Sequence, residues 1–220
     1  MPAGETQPFS GQLAFDRAQA VALVSLALGR ANASYMELGI PLFANLPGVL
    51  TMQVGTLAVT ERIALQNAAF QIRVGRFETV FEEFRAELAG GKLSGSLRIA
   101  DLIPRVIEIN LSAEDVALAR LLATKELRGV LRTKLSLGAS GSTEDDLIGS
   151  LSGRGTLAIS SLEIERADAT AVSSVFASAR DASDEKQIEQ ALLAALDRAS
   201  LKVARIETPL VVANGIVRSG

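Results

Sequence analysis

The sequence predicts a mainly β fold with helices (α+β), in which a curved antiparallel sheet has an apolar inner face and helices pack on one face or at the ends. Apolar and polar residues alternate with a period of two in many short segments, which is typical of strands with one buried face. The dipeptides Gly90-Gly91 and Asn214-Gly215 favour tight hairpin turns between neighbouring strands. Only a few segments have apolar residues at the wider spacing expected for helices.

The first strand is expected at Phe9 to Phe15, followed by a helix from about Arg17 to Leu28 with Asp16 as its N-cap. From residue 50 onward, the alternation predicts strands in quick succession, joined by tight turns into a meander. These strands are expected in the segments VLTMQVGTLAV, LQNAAFQIRVG, FRAELAG, KLSGSLRIA and VIEINLS.

Helices are expected to interrupt the second half of the chain. One begins at Ser112 in SAEDVALARLLA, and a short one begins at Ser142 or Thr143 in STEDDLIGSL. Two more are expected in ADATAVSSVFASA and SDEKQIEQALLAALDRA, because apolar residues recur there at helical spacing. Strands are expected at residues 127–137 and 155–164, and the segments LKVARIE and PLVVANGIVRS are expected to form the last ones.

A glycine recurs at a similar place in several strands, as in FSGQLAF, LSGSLRI, LRGVLRTKL and LSGRGTLAI. Glycine ordinarily weakens a strand, so this recurrence needs a physical reason. We expect the glycine to relieve crowding where a strand leaves its turn and bends. The segment GRG at residues 153–155 does not predict a nucleotide loop, because it lacks the spacing and the strand–turn–helix context of that motif.

The composition excludes several classes of chemistry. The chain has no His and no Cys among its 220 residues, so catalytic triads and zinc sites that depend on them are excluded. Its net charge of −3 and the lack of a basic cluster argue against a nucleic-acid partner. A carboxylate metal site at Asp145-Asp146 is the alternative to the acidic first turn of a helix there. A carboxylate-dependent hydrolase is a third option for the whole chain, which needs two acidic residues that converge in a cleft. We favour the helix and expect no enzyme activity, no cofactor and no metal.

The alternation assigns the apolar side chains of the central strands to one face of the sheet. Two interpretations fit this pattern, a closed core covered by helices or an open groove that holds an acyl chain, and the alternation by itself favours the closed core. The residues expected to line the face are Phe70, Ile72, Val74, Phe84, Leu88, Leu97, Ile99, Ile107, Ile109, Leu135, Leu137, Leu157 and Ile159.

From about residue 55 onward, the chain resembles the C-terminal region of the AsmA family of bacterial envelope proteins. The segment LQNAAFQIRVGRFETVFEEFRAELAGGKLSGSLRI resembles the family's paired strands that end in a Gly-Gly turn, and LSAEDVALARLL resembles the strand-to-helix step that follows. The block LRGVLRTKLSLGASGSTEDDLIGSLSGRGTLAISSLEIERAD and the strand pair TPLVVANGIV follow in the family's order. The resemblance covers roughly three quarters of the chain, and the first 50 residues depart from it.

The resemblance implies lipid handling rather than catalysis. AsmA-like proteins are anchored in the inner membrane by an N-terminal helix, extend through the periplasm in a long curved sheet with an apolar groove, and are thought to pass phospholipids toward the outer membrane. The chain itself has no signal peptide and no apolar segment of the length needed to span a bilayer.

We therefore expect residues 1–220 to form one periplasmic AsmA-like domain, with an atypical strand–helix entry at 1–50 and the AsmA-like region at 55–220. The chain is expected to be a fragment of a longer protein. Its expected partners are phospholipid and the rest of the same polypeptide or an inner-membrane anchor. The alternative is a structural or interaction module of the envelope that binds no lipid and has a closed, helix-covered β core.

Overall fold

Strands make up most of the computed structural model, which describes residues 8–27, 47–100, 103–165 and 200–219. They form one ten-stranded sheet in which the strands lie side by side in chain order. The strands are β1 (Phe9–Gln19), β2 (Gly48–Ala58), β3 (Ala64–Val74), β4 (Glu78–Leu88), β5 (Gly91–Ala100), β6 (Arg105–Ala117), β7 (Leu127–Gly141), β8 (Ser152–Ile164), β9 (Leu201–Ala213) and β10 (Ile216–Ser219). Among the described residues, the helices are α1 (Ala20–Ala27), α2 (Leu118–Leu121) and α3 (Glu144–Ser150). The prediction of a mainly β fold with helices is confirmed.

The pairing is antiparallel from β2 to β10, as the alternation and the short turns predict. The β1 strand differs, because it runs parallel to β2 and places Leu13 beside Met52. Parallel neighbours require a long connection, and the chain between Gln19 and Gly48, whose described beginning is α1, is long enough for one. The sheet is therefore antiparallel throughout except at its β1 edge.

Two of the hairpins close with two-residue turns whose residues have positive φ. Asn214 and Gly215, at 54° and 74°, connect β9 to β10 as predicted. Ala89 and Gly90, at 51° and 85°, connect β4 to β5. This second turn lies one residue earlier than predicted, because Gly91 is already the first residue of β5.

The helix predicted in STEDDLIGSL is confirmed as α3, which begins directly after Thr143. The Thr143 hydroxyl accepts a hydrogen bond from the Asp146 N–H, and the Asp146 carboxylate accepts one from the Thr143 N–H, each at 3.1 Å. This reciprocal pair is a capping box. Leu147 is buried, and the Ser150 hydroxyl accepts a hydrogen bond from the Ser140 N–H of β7 at 2.8 Å. The helix is thereby fixed against β7.

The helix predicted from Ser112 is wrong, because β6 continues to Ala117 and only Leu118–Leu121 is helical. Ser112 lies between Ser94 of β5 and Lys134 of β7. Strand pairing on both sides outweighs a helix signal that rested on a capping serine and a few apolar residues.

The helix predicted from Arg17 begins later, at Ala20, because β1 extends to Gln19. Arg17 pairs with Thr56 of β2, so the parallel ladder keeps this segment extended. Asp16 is therefore a strand residue and not an N-cap. The predicted end of this helix lies outside the described residues.

The predicted boundary between LKVARIE and PLVVANGIVRS is wrong, because one strand, β9, continues from Leu201 through Pro209. Pro209 pairs with Thr156 of β8, whereas β10 pairs with β9 only from Leu210 onward. Among the described residues, Pro209 has a strand partner on its β8 side alone, and proline is tolerated where one side of a strand is unpaired. The helices predicted at residues 167–179 and 183–199 lie outside the described residues.

Bulges interrupt the alternation of side chains in two central strands. Glu83 has a φ of 54°, and the register of β4 against β5 shifts between Phe81 and Phe84. Asp115 has a φ of 55°, and the register of β6 against β7 shifts just before Val116. The extra residue lets side chains three positions apart lie on the same face.

Candidate functional site

The strand register places every predicted lining residue on one face of the sheet, which we call the apolar face. Ile99 of β5 lies opposite Ile107 of β6, and Leu97 lies opposite Ile109, which in turn lies opposite Leu137 of β7. Directly paired residues share a face, so these side chains form continuous rows across the strands. The same relation connects all thirteen: Phe70, Ile72, Val74, Phe84, Leu88, Leu97, Ile99, Ile107, Ile109, Leu135, Leu137, Leu157 and Ile159.

Packing against the buried core divides the apolar face into two parts. The closed half comprises the buried core and the side chains packed against it, and it includes Phe70, Ile72, Val74, Phe84, Leu88, Leu97, Ile99 and Ile107. The open half comprises Ile109, Leu135, Leu137, Leu157 and Ile159, which are partly exposed and lie outside that core. The structure therefore brings all the predicted residues to one face but gives them two different environments.

The closed half is built like an ordinary protein core. The ring centroid of Phe70 lies 6.1 Å from that of Phe81 and 5.9 Å from that of Phe84. Ala20 and Leu23 of α1 pack against the same cluster. Aromatic contacts of this kind add about 0.5 to 1.5 kcal/mol each beyond the burial of apolar area, so this half stabilises the fold.

A row of alternating small and large residues crosses from the closed half into the open half. Leu111 of β6 and Leu135 of β7 pair with each other and lie between Gly95 of β5 and Gly155 of β8. A Cβ atom at Gly155 would collide with the Lys134 carbonyl and would lie 2.5 Å from Cδ2 of Leu135, so glycine allows the close approach of β7 and leaves space for this leucine. Gly95 lies in the middle of β5 and not at its opening as predicted. Its place is explained by close approach to the neighbouring strand, because a Cβ atom there would collide with the Asn110 carbonyl.

The opposite side of the sheet, which we call the polar face, carries a chain of ion pairs. Arg73 pairs with Glu82 at 3.3 Å and with Glu78 at 3.4 Å, and Arg98 pairs with Glu78 at 2.9 Å and with Glu108 at 3.2 Å. The hydrogen bond from Arg98 is the main cause that lowers the pKa of Glu78 below its ordinary value. One face is therefore aliphatic and the other is charged and solvated.

The acidic residues weighed as a metal site have a structural role. Asp146 accepts hydrogen bonds from the N–H groups of Ser142 and Thr143 at 3.2 and 3.1 Å, so its carboxylate caps α3. Within the described ranges, no three acidic side chains are grouped in a way that would hold a metal ion.

The sequence pattern does not assign two buried hydrophobic residues, Phe81 and Val116, to the apolar face. Phe81 is 8% exposed and Val116 is fully buried. Strict alternation counted back from Phe84 assigns Phe81 to the polar face, and Val116 falls in the segment predicted to be helical. The bulge residues Glu83 and Asp115 carry no sequence signal that separates them from ordinary polar strand residues.

No family model matches the chain, and comparisons with curated proteins and with solved structures also give no match. The resemblance to the AsmA family therefore stays a prediction. In the part of the chain that the structure describes, no helix has the length and apolar character needed to cross a membrane.

Proposed function

We propose that this chain is a non-catalytic, AsmA-type lipid-handling module of the periplasm. Its open half would shield phospholipid acyl chains in transit between the inner and the outer membrane and so help maintain the envelope. One observation carries the proposal: a patch of partly exposed aliphatic side chains from β6, β7 and β8 continues directly from a sealed core, on a sheet whose other face is charged.

The chemistry of the open half suits an acyl chain. Its side chains are leucine and isoleucine, which offer dispersion contacts and no hydrogen-bonding groups. Burying a methylene group is worth about 0.8 kcal/mol, so shielding a chain of some 16 carbons is worth on the order of 12 kcal/mol. Because such contacts are not directional, a lipid can slide along the strands without breaking specific bonds.

The shape of the groove is also part of the proposal. A β-bulge bends its strand and increases the local twist. The bulges at Glu83 and Asp115 lie in β4 and β6, on the two sides of β5. We infer that they curve the sheet around its apolar face, which turns a flat aliphatic surface into a groove.

A second function, a structural or interaction module that binds no lipid, is favoured by the closed half. Phe70, Ile72 and Val74 are each no more than 5% exposed, which leaves no room for a ligand there. If other residues covered the open half in the same way, the whole apolar face would be a closed core with no space for a lipid. The two proposals therefore differ in what contacts the open half.

To decide between the lipid-handling module and the structural module, the protein is purified without detergent and its organic extract is analysed for lipid. In parallel, a photocrosslinking amino acid is placed at Ile109 in the open half and, as a control, at Gln66, an exposed residue on the polar face of β3. Lipid in the extract and lipid adducts at Ile109, but not at Gln66, support the groove. No co-purified lipid and no adduct at Ile109 would leave the structural module as the function. A third probe at Ile99 tests whether the closed half stays sealed.

A further inference from the structure

A depression of about 510 Å³ lies on the polar face, on the side of the sheet away from the proposed groove. It crosses β5 to β8 between two neighbouring rows of polar side chains, and the backbone between the rows forms its floor. These rows contain Ser112, Lys134 and Thr156 on one side and Asn110, Ser136 and Arg154 on the other.

The two cations at this depression are not neutralised. Lys134 and Arg154 are exposed and form no ion pair with any residue in the part of the chain that the structure describes. Many other basic residues of the same sheet do pair with carboxylates, namely Arg73, Arg98, Arg128, Arg132, Lys202 and Arg205. This depression therefore carries two positive charges that have no ion-pair partner among the described residues.

The register brings these cations close together. Lys134 lies opposite Thr156 and Ser136 lies opposite Arg154, so Lys134 and Arg154 occupy diagonal positions on β7 and β8. Diagonal Cβ atoms on antiparallel strands are about 7 to 8 Å apart, which both long side chains can bridge around one small ion. The lining side chains on these two rows include no carboxylate. The flanking carboxylates are Glu108, which pairs with Arg98, and Glu114 of β6, which is diagonal to Lys134 and shares a second depression with it.

We propose that this depression binds a phosphate-type oxyanion, either free phosphate or the phosphate of a lipid head group. The guanidinium of Arg154 can donate two parallel hydrogen bonds to the oxyanion, and the ammonium of Lys134 adds a point charge. The hydroxyls of Ser112, Ser136 and Thr156 are additional donors. The site does not rest on the proposed groove, because a lipid whose tails lie on the apolar face cannot place its phosphate through the sheet.

To test this, the full chain is titrated with sodium phosphate in one experiment. In a second experiment it is titrated with a short-chain phosphatidylglycerol below its aggregation concentration. Calorimetry and phosphorus NMR measure binding. The double variant Lys134→Gln/Arg154→Gln should weaken binding about a hundredfold, since each of the two charge-assisted contacts is worth about tenfold. The control Lys92→Gln/Lys125→Gln removes the same charge from two exposed lysines outside the depression and should leave binding unchanged. Circular dichroism verifies that all variants are folded.

Every outcome of this experiment either supports or overturns the proposed oxyanion site. Phosphate binding that is lost in the first double variant but kept in the control supports a free-anion site, and the same pattern with the lipid alone supports a head-group site. The proposal is overturned if neither probe binds, or if the two double variants weaken binding equally. Lipid binding that survives Lys134→Gln/Arg154→Gln belongs to the apolar face and counts against a head-group site at this depression.

Discussion

At the scale of single residues, Ile99 and Ile109 have the same chemistry but different surroundings. They lie on the neighbouring strands β5 and β6 and on the same face. Ile99 is fully buried in the core, whereas Ile109 is partly exposed and lies outside it. The energetic contribution of each side chain therefore follows from what covers it and not from its type.

Truncation of these two isoleucines should give unequal costs. We expect Ile99→Ala to lower the free energy of unfolding by about 3 to 4 kcal/mol, because it leaves a cavity in a sealed core. Ile109→Ala should cost only about 1 to 2 kcal/mol, since water already reaches part of the side chain. Urea unfolding of both variants measures the difference. Equal losses would mean that Ile109 is covered as completely as Ile99, and the open half would then not exist.

The cap of α3 provides a prediction on pH. Hydrogen bonds with the Thr143 side chain, and then with the N–H groups of Thr143 and Ser142, lower the pKa of Asp146 below its ordinary value. The unfolded chain therefore binds more protons than the folded one between these two pKa values. The stabilisation by Asp146 should be complete above the ordinary aspartate range and should disappear as the pH falls through the lowered pKa.

A comparison of the stability of the wild type with that of Asp146→Asn tests the direction of this pH dependence. The stability difference between the two proteins should shrink as the pH falls below the ordinary aspartate range, and at neutral pH it should be constant. Thr143→Ala, which removes the capping hydroxyl, should cost about 1 kcal/mol at neutral pH. A titration of Asp146 by NMR that gives an ordinary pKa would contradict the geometry of the cap.

At the scale of elements, the bulge at Asp115 determines which side chains of β6 reach the core. Its φ of 55° lies in the left-handed region, which is unfavourable for residues other than glycine and, to a lesser degree, asparagine and aspartate. Directly after it, Val116 pairs with Leu131 and is fully buried. A strand without the extra residue would place Val116 on the polar face.

Substitution at Asp115 isolates the backbone effect. Asp115→Ala and Asp115→Gly both remove the exposed pair with Arg132, so they differ mainly in tolerance of positive φ. We expect the alanine variant to be less stable than the glycine variant by about 1 kcal/mol, measured by urea unfolding. At the neighbouring Glu114, which has ordinary strand geometry, the order of the same two substitutions should reverse. The same order at both positions would argue against a bulge at Asp115.

The same elements show which parts of the structure can be predicted from the sequence alone and which cannot. The helix in STEDDLIGSL and the Asn214-Gly215 turn are local, because capping and turn residues determine them within a few positions, and both are confirmed. The helix predicted from Ser112 is wrong because pairing with β5 and β7, which are distant in sequence, determines the backbone there. The sequence does not predict the bulges at Glu83 and Asp115 for the same reason, because an extra residue is defined only relative to the partner strand.

At the scale of the whole molecule, alternation predicts the two-sided character of the sheet but not the division of its apolar face. Period-two patterning specifies which side chains share a face. Whether a side chain is covered depends on packing from other elements, such as that of Ala20 and Leu23 on the core. Nothing in their sequence pattern separates Ile99 from Ile109. The candidate site could therefore be predicted as a set of residues, whereas its closed and open halves became distinct only in the structure.

Single cysteines test this division directly, because the natural chain has no Cys and an introduced thiol reports on one position. We expect the reaction rate with a water-soluble thiol reagent to increase in the order Ile99→Cys, Ile109→Cys, Gln66→Cys, following their exposure. Addition of short-chain phospholipid should slow the reaction at Ile109→Cys and leave Gln66→Cys, on the polar face of β3, unchanged. Protection at both positions would indicate a general effect of lipid on the protein. Fast reaction at Ile109→Cys that lipid does not slow would mean that the open half is exposed but holds no acyl chain, and the groove would be excluded.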